Sequence, residues 1–112
     1  MQIIKENKND VLLLYIKGEI DINTAPQLKK DFDKIVAAKS GKIVISFKDV
    51  SYIDSSGLAT LVEMLKNLRS YGGKLKLANL STKIKNLFEI TKLEKLFDIT
   101  QEEEEAIKAL SA

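Results

Sequence analysis

Cysteine, histidine and tryptophan are all missing from this 112-residue chain, and proline and arginine occur once each, at Pro26 and Arg69. Without cysteine there is no disulfide and no thiol chemistry, as is common for proteins of reducing compartments. Without histidine there is no Ser-His triad, no imidazole acid or base, and almost no route to a structural zinc site. No apolar run approaches the roughly 20 residues that span a bilayer. Met1 to Lys5 leads straight into strand-like sequence without a signal-peptide pattern, so a cytoplasmic protein is expected.

What is present is ordinary for a globular domain: 45% hydrophobic residues, 30% charged residues and a net charge of +2. The length suits one compact domain, 1–112, and no linker, repeat or low-complexity tract divides it. The lysines alternate with acids and no aromatic residues interleave with them, so a nucleic-acid surface is not expected. Scattered lysine of this kind keeps a surface solvated.

Strand and helix patterns alternate along the chain. Ile3 to Glu6 reads as an edge strand and Val11 to Lys17 as a strong one. Asn23-Thr24-Ala25-Pro26 opens a helix, with Asn23 or Thr24 able to cap and Pro26 suited to the first turn; Leu28, Phe32, Ile35 and Val36 carry it to Lys39. Lys42 to Phe47 is short and β-branched, as a central strand covered on both faces would be. A helix follows from about Ser55 to Ser70, then a strand at Leu75–Ala78 and a helix capped by Ser81. A helical turn around Leu93–Phe97, a short strand at Asp98–Thr100 and a helix over Glu102–Leu110 complete the pattern. The expected fold class is α/β: one small, mixed but mostly parallel sheet wound with about four helices, its antiparallel part supplied by the first two strands.

The segment Asp49-Val50-Ser51-Tyr52-Ile53-Asp54-Ser55-Ser56-Gly57-Leu58 carries the functional signal. It places a carboxylate and two hydroxyls at a helix N-terminus, where backbone N–H groups are unpaired and the macrodipole is positive. Leu58, Leu61, Val62, Leu65 and Leu68 form one apolar stripe. Extended backward, that phase puts Ser55 in line with Leu58, Val62 and Leu65, and Ser56 with Ala59, Thr60, Glu63 and Asn67. Ser55 is therefore expected to be the structural hydroxyl and Ser56 the presented one. A serine or aspartate before a helix is most often a cap, but one cap suffices for one helix, so a second hydroxyl is surplus. Gly57 leaves the backbone beside Ser56 uncovered, which a closely approaching partner would explain.

Val50 to Leu58 closely resembles the Asp-Ser-Ser/Ala-Gly-Leu signature of the anti-sigma factor antagonists, the stand-alone STAS domains of bacteria. Gly18-Glu19-Ile20-Asp21 is similar to the family's Gly-Glu-Leu/Ile-Asp strand ending, Gly72 to Leu77 to its turn and strand after the signature helix, and Lys85 to Ile90 with Leu93 and Phe97 to its late helices. These blocks span nearly the whole chain in the family's order. The resemblance implies a small mixed sheet wound with helices and a phosphorylation-switched binding module, with no catalysis, metal or cofactor of its own. It implies that Ser56, the second serine of the motif, accepts the phosphate. The implied partners are an anti-sigma factor that is itself an ATP-binding serine kinase, and a metal-dependent phosphatase; unphosphorylated protein binds the anti-sigma factor and frees a sigma factor. Asp21 and Asp54 are expected to orient Ser56 and to contact the partner, although a turn residue is the plainer account of Asp21. Ser55, Gly57, Thr24, Thr60 and Glu63 extend the expected contact patch, and Met64 either adds to it or lines the core.

Three other readings compete. A serine at a strand-to-helix turn resembles a hydrolase nucleophile elbow, but the Gly-x-Ser-x-Gly pattern and any activating histidine are missing. Gly72-Gly73-Lys74 follows a helix and precedes a strand, the reverse of a P-loop. A STAS scaffold or accessory subunit of a stress-signalling or transport assembly would keep the fold without phosphorylation.

Overall fold

The computed structural model describes residues 1–111; Ala112, the last residue of the expected domain, lies outside them. The elements run β1 (Gln2–Lys8), β2 (Val11–Ile20), α1 (Ala25–Ala37), β3 (Lys42–Ile53), α2 (Ser55–Arg69), β4 (Lys74–Ala78), α3 (Thr82–Ile90), a 3-10 turn (Leu93–Lys95), β5 (Asp98–Thr100) and α4 (Glu103–Ser111). One sheet holds all five strands in sequence order. β1 and β2 are antiparallel, and every later neighbour is parallel. This is the expected mixed α/β architecture.

The antiparallel start follows from two residues. Asn9 and Asp10 both take positive φ, 50° and 67°, the conformation of a tight hairpin turn whose twist matches the strands it joins. Register then pairs Lys8 with Val11. Every further strand returns through a helix, as parallel pairing requires.

β2 and β3 run longer than their apolar cores suggest. β3 continues past Phe47 to Ile53, and β2 past Lys17 to Ile20, with register shifts around Lys17 and Gly18. Gly18 takes a φ of 102° there, which glycine adopts without strain. β4 pairs with β3 only as far as Ser46. Beyond it β3 has β2 alone as a neighbour, so Lys48, Asp49, Ser51 and Tyr52 are free to be polar or exposed.

The sheet separates two apolar layers. Leu14, Ile16 and Ile20 of β2, Ile43, Ile45 and Phe47 of β3, and Leu75 and Leu77 of β4 face one way, onto α1, α2 and α3. Val11, Leu13, Val44 and Ala78 face the other, onto Ala106, Ile107 and Leu110 of α4. The strict alternation is the period of two that strands impose. Phe88 of α3 makes edge-to-face contacts with Phe47 at 6.4 Å and Phe97 at 5.7 Å. Met64 is core, 1% exposed. Ser81 caps α3 as its sequence suggests, accepting from the Ile84 N–H at 3.2 Å. α1 stops at Ala37, short of Lys39, whose φ of 57° breaks the helix. No helix among the described residues is long and apolar enough to cross a membrane.

Candidate functional site

The serine segment sits where β2 and β3 end together. Ile20 and Ile53 are register partners, and the Asp54 N–H donates to the Ile20 carbonyl at 3.0 Å. The carboxyl ends of adjacent parallel strands are where α/β sheets open a crevice for ligands. Here the β2–α1 turn and the first turn of α2 meet at that edge.

Asp54 organises it. Its backbone is extended (φ −109°, ψ −172°), the conformation of a helix N-cap. One carboxylate oxygen accepts from the Ser56 and Gly57 N–H groups at 2.9 and 3.1 Å, and the other from the Ile22 N–H at 3.2 Å. A single side chain thus caps α2 and holds the β2–α1 turn against it. The cap is the aspartate, so neither serine is needed for that role.

Asp21 builds the facing turn in the same way. Its carboxylate accepts from the Asn23 and Thr24 N–H groups at 2.9 and 3.0 Å. Its own N–H donates to the Thr24 hydroxyl at 2.9 Å, and that hydroxyl donates to the Glu19 carbonyl at 2.9 Å. Thr24 stands at the N-cap position of α1 without a side-chain cap bond of its own. Both acids at the site are engaged by backbone amides.

The order of exposure is the reverse of that expected for the two serines. Ser55 is exposed and Ser56 only half-exposed. The helical phase itself holds: Ser55 does lie on the Leu58 side of α2. At the first turn that side lines an open groove, with Leu58 beside Ser55. The Thr60 hydroxyl donates to the Ser56 carbonyl, one helical turn back, at 2.9 Å. Farther along the same side, Glu63 pairs with Lys29 of α1 at 2.6 Å. Thr60 and Glu63 therefore line the α1–α2 seam, with Lys29, Phe32 and Asn67, and do not extend the Ser55 face.

Gly57 also needs a different account. It is buried, and a Cβ there would stand 2.7 Å from both Ile20 Cγ2 and Ile53 Cγ1. Packing demands the glycine: α2 starts so close to the strand ends that no side chain fits between.

The groove holds about 590 Å³. Ser51, Tyr52, Ile53, Asp54, Ser55 and Leu58 form one side; Lys83, Ile84, Asn86, Leu87, Ile90 and Thr91 of the α3 region form the other. The sequence did not single out Tyr52, Lys83 or Ile90. The available signal was a second apolar line on α3, Leu87 with Ile90, lying off the Ile84–Phe88 core stripe. No group of three acidic side chains among the described residues could hold a metal ion.

The sequence profile of the STAS domain matches residues 2–106. The chain belongs to the STAS domain family. It is 41% identical over 87 residues to the anti-sigma-B factor antagonist of Bacillus subtilis (strain 168), covering 78% of each chain. Among solved structures, a putative anti-sigma factor antagonist from Thermotoga maritima superposes with a TM-score of 0.92 at 28% identity, covering 98% of this chain and 95% of that one. The Bacillus cell fate determinant SpoIIAA in its phosphorylated form shares the fold, with a TM-score of 0.74 at 22% identity and coverage of 96% and 98%.

Proposed function

We propose that this STAS domain is an anti-sigma factor antagonist, a binding module switched by phosphorylation of its serine pair. The observation that carries the reading is an exposed Ser55 hydroxyl at the mouth of a helix already capped by Asp54. That hydroxyl has no structural duty, faces solvent, and sits on a turn held rigid by two aspartates. The relatives named anti-sigma factor antagonists, and a fold neighbour solved in a phosphorylated form, support the same reading. Because Ser55 is the more exposed of the two, we assign the phosphate to it in place of Ser56.

Unmodified protein binds an anti-sigma factor that is also an ATP-dependent serine kinase, and the sigma factor is released. Phosphorylation ends the complex, and a metal-dependent phosphatase restores it. The chain is substrate and switch, supplies no catalytic group, and works in the cytoplasm beside the transcription machinery. The phosphate adds about −1.5 to −2 charges at neutral pH. At the N-terminus of α2 the helix dipole offsets that charge by roughly 0.3–1 kcal/mol, so the fold tolerates it. A partner closed over Ser55 does not: losing about 3 kcal/mol of contact weakens binding by about two powers of ten.

The test is incubation of the wild type, Ser55→Ala and Ser56→Ala with ATP and the cognate kinase, followed by intact-mass and peptide mass spectrometry. One phosphate is expected on the wild type and on Ser56→Ala, and none on Ser55→Ala. Phosphate surviving in Ser55→Ala and lost in Ser56→Ala reverses the assignment. No transfer to any of the three overturns the switch and leaves a STAS scaffold.

A further inference from the structure

β5 (Asp98–Thr100) is the last strand of the sheet, so its outer edge has no neighbouring strand. The direction of its free groups follows from β4. The Lys74 N–H donates to the Gly41 carbonyl on the β3 side at 2.8 Å. Backbone groups alternate along a strand, so those of Leu77 point toward β5, where Leu77 is the register partner of Ile99. In a parallel pair Leu77 then bonds the residues on either side of Ile99, and the Ile99 N–H and C=O are directed outward.

A cleft of about 570 Å³ is lined by all three residues of β5. Asp98 and Thr100 lie on the α4 face, in register with Lys76 and Ala78, and Ile99 packs on the other face, so the cleft wraps the strand's open edge. Thr82, Lys85 and Glu89, one line of positions on α3, and Glu94 of the 3-10 turn form the opposite wall. The serine groove shares no lining residue with it.

Four charged side chains line the cleft. Asp98 is paired with Lys76 at 3.7 Å. Lys85, Glu89 and Glu94 enter none of the ion pairs among the described residues. Lys85 and Glu89 stand one turn apart on α3 and offset each other, so the excess negative charge rests at Glu94. Its Oε2 is buried and has no hydrogen-bond partner among the described residues, a rare state for a buried polar atom. A short edge strand carrying a charge is an ordinary defence against stray pairing. That accounts for Asp98, but not for a carboxylate oxygen turned inward without a donor.

We propose that this cleft takes an extended, basic segment of a partner protein, which adds a strand to β5 through the Ile99 N–H and C=O and brings a lysine or arginine to Glu94. Main-chain pairing supplies the contact along the edge, and the carboxylate supplies the preference for a cation. The proposal stands apart from the serine switch and does not rest on the reading of the chain as an antagonist, since its test uses no anti-sigma factor.

The experiment follows the amide NMR spectrum of isotope-labelled protein during titration with the end-capped peptide Thr-Val-Lys-Val-Thr, with a form carrying glutamate in place of lysine, and with a backbone N-methylated form. Titration to about 5 mM reads millimolar affinity. The lysine peptide is expected to shift the Ile99 amide saturably and to slow its exchange. The glutamate and N-methylated forms should bind about tenfold more weakly or worse, as loss of a charge-assisted or main-chain hydrogen bond implies. Glu94→Gln, checked for folding by thermal melt, should weaken the lysine peptide about tenfold and erase its advantage over the glutamate form; the two peptides on wild-type protein decide the same point should that variant not fold. No saturable shift, shifts confined to Ser51–Leu58, equal binding of the lysine and glutamate forms, or undiminished binding of the N-methylated form each overturn the proposal. If Ile99 shifts with protein concentration alone and sedimentation shows dimers, the occupant is a second copy's edge strand and the proposal is overturned as well.

Discussion

The Asp54 carboxylate accepts a hydrogen bond from the Ile22 N–H at 3.2 Å, across 32 residues of chain, while its second oxygen caps α2. Two loops that could move independently are thereby one unit, and Ser55 is mounted on it. Asp54→Ala is expected to destabilise the fold by about 1–2 kcal/mol, as loss of an N-cap does. Asp54→Asn keeps one acceptor for the α2 amides but turns an NH₂ group toward the Ile22 N–H, so it should cost less in urea denaturation. Both should speed amide exchange at Ile22, and equal protection there in the Asn variant would show that the bridge does not hold the turn.

Gly57→Ala sets two effects against each other. Within a helix the change ordinarily gains up to about 1 kcal/mol. Here the new methyl would lie 2.7 Å from carbons of Ile20 and Ile53, both part of the core, and forced overpacking costs about 1–3 kcal/mol. The clash should win, with a lower urea midpoint at unchanged slope. A midpoint equal to or above wild type would mean that the strand ends yield easily and that the glycine serves exposure after all.

Most of the fold was legible because alternating strand and helix signals leave few topologies, and Ile43–Ile45 or Leu75–Leu77 can only be buried strand. The end of β3 was not legible, since Lys48 and Asp49 look like a loop until β2 is known to reach Ile20 beside them. The serine pair shows a subtler limit. Helical phase correctly grouped Ser55 with Leu58, but phase says nothing about what lies under a given face. At the first turn of α2 that is a groove closed by α3, which arrives some 30 residues later. The role of Gly57 was hidden for the same reason: only the close approach of Ile20 and Ile53 reveals it. Asp54 and two serines were equal candidates for one cap, and geometry chose the aspartate.

On the far face of the sheet, the Tyr15 hydroxyl donates to Glu103 at 2.5 Å and ties α4 to β2. That hydrogen bond first, then burial and the charges of Glu103 and Glu6, push the Tyr15 pKa from 10.0 up to about 12. A folded-state pKa raised above the unfolded one gives stability that is complete below pH 10 and is lost as pH rises toward about 12. Ultraviolet titration should therefore show Tyr15 ionising toward pH 12; Tyr71 is raised by burial alone. Tyr15→Phe should remove that step, flatten the alkaline loss of stability, and cost about 1 kcal/mol at neutral pH. An unchanged titration would mean that the Glu103 contact does not persist in solution.

A switch that works by local blockade must leave the fold alone, and that is separable from binding. Ser55 is the first residue of α2, where the helix dipole favours negative charge even with the Ser56 and Gly57 amides taken by Asp54. Ser55→Asp should therefore leave thermal stability unchanged or raise it slightly, by up to about 1 kcal/mol. The same charge at the other end of the helix, as Ser70→Asp, should lower it, because Ser70 stands at the C-cap, the negative end of the dipole. Ser70→Ala, which removes the hydroxyl's bond to the Asn67 carbonyl without adding charge, is the reference for Ser70→Asp, and raising the salt concentration should shrink both charge shifts. A clear loss of stability in Ser55→Asp would sink the blockade mechanism, since phosphorylation would then loosen the turn that Asp54 and Asp21 build and release the partner by unfolding its docking surface.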